Sequence, residues 1–165
     1  MKRISYFLVL IVLALAGCTD PDKMPVITDA KLDHFGGVGF AEDGKVITYA
    51  TLTVSYVSPS PKQIEIKNVL GAVSSADGKP IATITMPDGD VIIVKSECED
   101  SVTQTFNVKM EGSLVQMVAG GISSLKNGTL DLDADILYGN RKRHFSKRGI
   151  PIEEIISKYQ LKSDR

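Results

Sequence analysis

Val102-Thr103-Gln104-Thr105-Phe106-Asn107-Val108-Lys109-Met110 changes character at almost every residue. Val102, Phe106, Val108 and Met110 fall on one side, with Gln104 the exception, while Thr103, Thr105, Asn107 and Lys109 fall on the other. Successive side chains of a β-strand point to opposite faces, so a period of two marks a strand with one face buried. Val46, Ala50, Leu52, Val54 and Tyr56 repeat the pattern against Ile47, Tyr49, Thr51, Thr53 and Ser55, where Ile47 and Tyr49 interrupt the polar side. Leu130, Leu132, Ala134, Ile136 and Tyr138 repeat it again, opposed by Asp131, Asp133 and Asp135. A helical period of 3.6 cannot produce three such stretches.

Turn residues separate the apolar runs. Asp43-Gly44, Asp77-Gly78, Asp88-Gly89, Asn127-Gly128 and Gly139-Asn140 are pairs that tolerate the positive φ of tight turns. Strands joined by short turns are antiparallel, and nothing resembles the crossover helices of a parallel sheet. The expected fold is therefore an all-β antiparallel sandwich. Two segments follow helical spacing instead. Leu114, Val118, Ile122 and Leu125, with Val115 and Met117, predict a short helical insert, and Pro151 followed by Ile152, Ile155, Ile156 and Tyr159 predicts a short C-terminal helix. Phe35-Gly36-Gly37-Val38-Gly39-Phe40 lacks the spacing and following helix of a phosphate loop and predicts a bulged or bent strand.

The order of features resembles a known family. An alternating strand runs into Ser55-Tyr56-Val57-Ser58-Pro59-Ser60-Pro61 and then Ile64-Glu65-Ile66-Lys67-Asn68-Val69. A hairpin around Asp77-Gly78-Lys79-Pro80-Ile81-Ala82 comes next, then the strand ending at Met110, an apolar insert, and a late strand closed by a glycine turn. Across residues 45–150 this resembles the type 2 late-embryogenesis-abundant domain, also called the water-stress WHy domain. The resemblance implies an antiparallel sandwich of the immunoglobulin or fibronectin type III kind, a loosely defined stress-protective role and no catalytic residues. Members often carry Asn-Pro at the Pro-containing strand exit, where asparagine bonds the turning backbone. Ser58-Pro59 stands there instead, and serine is expected to bond the turn more weakly.

The N-terminus predicts location. Lys2-Arg3 precede an apolar run over residues 4–16, which closes in Leu15-Ala16-Gly17-Cys18 and resembles a bacterial lipobox. A transmembrane helix needs about 20 apolar residues, and this run is several short. The expected organisation is a signal peptide over residues 1–17, a lipidated tether over 18–26 and a sandwich domain over 27–165. Cys18 is the predicted lipid acceptor, and the lipid bilayer, reached through acylated Cys18, the predicted partner. Thr19, in place of the aspartate that retains enterobacterial lipoproteins in the inner membrane, implies outer-membrane delivery by resemblance to that sorting rule. Loss of a signal holding two basic residues and no acid takes the net charge from -1 to -3. That mild acidity, without basic residues interleaved with exposed aromatics, argues against nucleic acid.

Few residues suggest chemistry. With Cys18 assigned to lipid, Cys98 stands alone beside Glu97, Glu99 and Asp100, whose charges disfavour its thiolate. His34 and His144 are the two histidines, and neither belongs to a Gly-x-Ser-x-Gly or His-Glu-x-x-His pattern. No enzyme, cofactor or metal site is therefore expected. Asp131, Asp133 and Asp135, three carboxylates on one strand face, are the weak metal candidates for a hard cation such as calcium. The competing expectation comes from the Gly139-Asn140 turn. A two-residue turn there sets Asp135 opposite His144, Asp133 opposite Ser146 and Asp131 opposite Arg148, so that charge pairs satisfy the face. Sequence alone thus favours a non-catalytic binding or envelope-support protein, with an unknown envelope protein or ligand as partner. A glycan- or cation-binding accessory module and a small hydrolase are the alternatives.

Overall fold

The computed structural model describes residues 25–111 and 127–153. Cys18, the tether up to residue 24, the predicted insert helix and all but the first residues of the C-terminal helix lie outside the described residues. Among the described residues eight strands follow in chain order: β1 (Val26–Phe40), β2 (Val46–Ser58), β3 (Ile64–Ser74), β4 (Pro80–Thr85), β5 (Ile92–Val94), β6 (Cys98–Met110), β7 (Thr129–Tyr138) and β8 (Arg141–Pro151). Every pairing is antiparallel. β1 opens at Val26, inside the stretch expected to be tether.

The strands form one sheet in the order β1-β2-β6-β4-β3-β7-β8, with β5 added to β3. The sheet doubles over into an open, sandwich-like form. β6 pairs with β2 from Cys98 to Lys109 but meets β4 only over its last four residues, from Asn107 to Met110. β4 ends at Thr85, and beyond it β3 takes β5 as its neighbour. The two layers are thus joined at the β4–β6 seam and part beyond it.

Alternation decides what the layers enclose. Ala50, Leu52, Val54 and Tyr56 of β2, Phe106 and Val108 of β6, and Leu130, Leu132, Ala134 and Ile136 of β7 are all buried, as the period of two predicts. Val102 and Met110 pack against this core, and Gln104, on the same side, turns its amide to Asp90 Oδ2 at 2.9 Å and the Thr105 carbonyl at 2.8 Å. On the outer face Thr51 bonds Thr105 at 2.8 Å and Thr53 bonds Thr103 at 2.7 Å. Each pair sits directly opposite in the register, a placement that contributes about 0.2–1 kcal/mol per pair. Pro151 ends β8, and the helical Ile152 is buried with its N–H bonded to the Gly128 carbonyl at 3.0 Å.

The glycine-rich end of β1 is bulged, with a register shift between Gly36 and Gly39 and φ of 78° at Gly37. Tyr49 explains the composition. A Cβ on Gly39 would stand 2.7 Å from the Tyr49 hydroxyl, and one on Gly37 would stand 3.1 Å from its ring. The tyrosine lies across a backbone that only glycine leaves bare. Its ring covers the strand, and Val38 and Phe40 beside it are exposed.

The strand exit corrects one expectation. Ser58 does not bond the turning backbone, because it continues the inward series of Ala50, Leu52, Val54 and Tyr56 and is buried. Its hydroxyl has no hydrogen-bond partner among the described residues. Ser60 does that work instead, donating to the Lys62 carbonyl at 2.7 Å while its own carbonyl accepts from Glu97 N–H at 3.0 Å. A buried unpaired hydroxyl costs about 1–3 kcal/mol. Ser58→Ala is therefore expected to raise the unfolding free energy by about 1 kcal/mol, read as a higher urea midpoint at unchanged slope. A lower midpoint would mean that the hydroxyl is satisfied.

Candidate functional site

The aspartates of β7 project from the sheet face opposite the core, and β8 lies beside them. The Gly139-Asn140 turn sets Tyr138 opposite Arg141, Asp135 opposite His144 and Asp133 opposite Ser146, as the two-residue turn predicts. Gly139 has φ of 59°, the positive value such a turn needs at its first position. The expected pairing of Asp131 with Arg148 does not occur. Leu132 pairs with Lys147 but Leu130 pairs with Ile150, so Arg148 and Gly149 together oppose Asp131 in a bulge. Gly149, at φ of 64°, accommodates the extra residue.

The bulge re-aims the arginine. Arg148 reaches back to Asp133 with both terminal nitrogens, at 2.8 and 3.1 Å, and Asp131 accepts the Gly149 N–H at 2.7 Å instead. His144 directs Nδ1 to Asp135 Oδ1 at 2.9 Å and Nε2 toward Asp133 Oδ1 at 3.5 Å. The other oxygen of Asp135 accepts from Asn68 Nδ2 at 2.8 Å. Asn68 can reach because β3 is itself bulged between Lys67 and Leu70, with Asn68 at φ of 53°. A ladder Arg148–Asp133–His144–Asp135–Asn68 thus crosses three strands.

Its electrostatics arise from these contacts. The Asn68 amide and His144 hold the Asp135 carboxyl below its ordinary value. Asp133 loses solvation by burial, yet bonds from Ser146, Arg148 and His144 outweigh that and lower it too. His144 is raised above 6.5, chiefly by Asp135. A group raised on folding stabilises fully below its unfolded pKa and loses that contribution as pH rises through the folded value. Protonated His144 therefore tightens the ladder below about pH 6.5. A cation on this face would have to displace Arg148 and His144, and among the described residues no three His, Cys, Asp or Glu side chains stand together as a metal site.

A second charged cluster has no counterpart in the sequence reading. Glu111, just past β6, accepts from Lys45 Nζ at 2.5 Å and from the Thr83 hydroxyl at 2.8 Å, and Lys109 Nζ lies 3.4 Å away. Asp43 lies near both lysines, at 3.7 Å from Lys45 and 3.6 Å from Lys109. The Lys45 bond, helped by Thr83, lowers Glu111 from 4.5 to about 2. Because the folded pKa is depressed, the stabilisation is present above pH 4.5 and is lost as pH falls toward 2. Glu111→Gln is expected to lower stability by about 1–3 kcal/mol at neutral pH and to flatten the acid limb of the unfolding curve between pH 4.5 and 2. An unchanged acid limb would remove Glu111 from the account. The spacing of Lys109 and Glu111, two apart and so on one strand face, was the available signal.

The remaining candidates lie apart. Cys98 is a free, partly buried thiol packed against the core opposite Ser58. His34 sits on exposed β1, paired with Thr51, on the far side of the sheet order from His144.

No protein-family model and no curated protein matches the chain. Among solved structures it is similar to a candidate late embryogenesis abundant (LEA) protein in solution, at 17% identity and TM-score 0.35, covering 93% of this chain and 89% of that one. It is also similar to AT1g01470 from Arabidopsis thaliana, at 14% identity and TM-score 0.31, covering 80% of this chain and 86% of that one. A protein from Archaeoglobus fulgidus is similar at 11% identity and TM-score 0.44, covering 75% of this chain and 94% of that one.

Proposed function

We propose that this chain is a lipoprotein of the bacterial outer membrane, acylated on Cys18, whose β-sandwich has a non-catalytic binding or envelope-support role. The lipobox-like Leu15-Ala16-Gly17-Cys18 carries the reading. Two or three acyl chains, each gaining about 0.8 kcal/mol per buried CH₂, anchor stably where one chain is marginal. The charged groups of the domain support the non-catalytic part. Both ring nitrogens of His144 face aspartates, so the imidazole is not positioned to activate a serine, and Ser146 bonds Asp133 instead. The mechanism is presentation: the membrane concentrates the domain beside its envelope partner.

Crosslinking in intact cells is expected to capture the same envelope proteins repeatedly around the wild-type chain, and to lose them with Cys18→Ala. Calcium is expected to leave the melting temperature unchanged. A calcium-dependent rise that disappears in Asp133→Ala would replace this reading with a cation-binding module.

A further inference from the structure

The chain enters the domain at one end of the sandwich, and that end carries a basic corner. Val26 pairs with Val57 near the close of β2, the Pro59–Pro61 segment leads into β3, and Ile64 pairs with Tyr138 beside the β7–β8 turn. The residues that precede β1 therefore join the domain at the same end as Gly139-Asn140. Lys62, Arg141, Lys142 and Arg143 cluster around this turn and are all exposed.

The turn is built to hold them together. Lys62 lies across it, with Nζ 5.8 Å from the centre of the Tyr138 ring. A Cβ on Gly139 would stand 2.8 Å from Lys62 Cδ and 3.2 Å from Nζ, so the glycine makes the space the lysine fills. Arg141, Lys142 and Arg143 stand opposite Tyr138, Leu137 and Ile136, which carry no charge. The nearest acid along β7, Asp135, is bonded by His144 and Asn68 and feels the Lys142 charge only at longer range. Arg143 has a contact of its own, and Arg141, Lys142 and Lys62 suffice without it.

The acids at this end lie on the other layer, except Glu65, which stands in β3 opposite Leu137. Glu97, Glu99 and Asp100 open β6, and Asp100 is 2.7 Å from Lys95. Glu65 is 3.7 Å from Lys67. An anionic surface below the end would draw the β7–β8 corner down and push the β6 corner away.

We propose that the β7–β8 turn and Lys62 form a second membrane contact, taking the phosphate headgroups of anionic phospholipids beside the lipid anchor. This rests on the lipoprotein reading for its setting, but its chemistry is that of the corner itself. A guanidinium and two ammonium groups match phosphate oxygens, and basic residues near an anionic leaflet add attraction that salt screens. The second contact sets the orientation, since a tether alone leaves the domain free to turn.

The test is partitioning of the purified full chain onto vesicles of phosphatidylcholine and onto vesicles in which part of it is replaced by phosphatidylglycerol. Binding is expected to be roughly tenfold stronger on the anionic vesicles. The preference is expected to collapse in high salt, in Arg141→Gln with Lys142→Gln, and to a smaller extent in Lys62→Gln, with melting temperatures unchanged. Acylation adds equally to both vesicle types. Loss of binding to neutral vesicles with the anionic preference intact would sink the anchor and leave this inference standing. Equal partitioning, a preference that survives in the double variant, or binding to polyglutamate without vesicle preference would overturn it.

Discussion

Phe106→Ala is expected to lower the unfolding free energy by about 3–5 kcal/mol, a large part of the about 5–15 kcal/mol that domains of this size possess. Phe106 is 2% exposed and sits in β6 just before Asn107, Val108 and Lys109, the three residues that pair with both β2 and β4. It faces Ala50, whose small side chain leaves room for the ring, and Phe35 flanks Ala50 from β1. Removing the ring empties the core where the layers are joined, and the surrounding strands are held by ladders on both sides, so collapse into the space is limited. Chemical denaturation of the variant reads the effect. A loss below about 1 kcal/mol would mean that the seam is not where the core is closed.

Leu130→Asp is expected to be worse, with a penalty of about 5 kcal/mol or more and an unfolded chain at neutral pH. Leu130 is fully buried between Val73 of β3 and Ile150 of β8, each 5% exposed. Neither of these two register partners is a cation, so the carboxylate would be buried without a counter-charge across the ladder. Burial would raise its pKa, and the penalty should ease as pH falls and the group protonates. Asp131→Leu, one residue away on the outer face, forfeits only the bond from Gly149 N–H and should cost about 0.5–1.5 kcal/mol. Circular dichroism and solubility of the two variants separate the faces. Equal effects would contradict the period-of-two assignment of β7.

Strand identity was legible where alternation was unbroken. β2, β6 and β7 show it, and their buried residues are the ones the pattern picks out. β1 escapes the same test because its register shifts three times against β2, each shift exchanging the faces of the residues beyond it. The β7–β8 ribbon was readable as far as its turn could be counted. Counting fails at Arg148, since a bulge is a local backbone choice that Gly149 permits but does not announce. The Glu111 cluster was harder still, because Lys45, Thr83 and the Lys109–Glu111 pair come from separate parts of the chain and meet only when β4 docks beside β6. Tyr49, which interrupts the polar side of β2, is explained by the glycines of β1 lying under its ring.

The aspartates illustrate how the same residues support different chemistry once placed. Three carboxylates spaced by two on a strand suggest a cation, but their partners here are an arginine, a histidine, an asparagine and a backbone N–H. Exposed pairs of this kind are each worth little. Together they fix the outer face of the β7–β8 ribbon.

Mass spectrometry of the N-terminal peptide of the mature protein decides whether this domain is carried at the membrane through lipid on Cys18. The expected peptide begins at Cys18 and carries the added mass of a diacylglyceryl group, with or without a further acyl chain. A mature chain beginning elsewhere, or a Cys18 with its thiol unmodified, would contradict it.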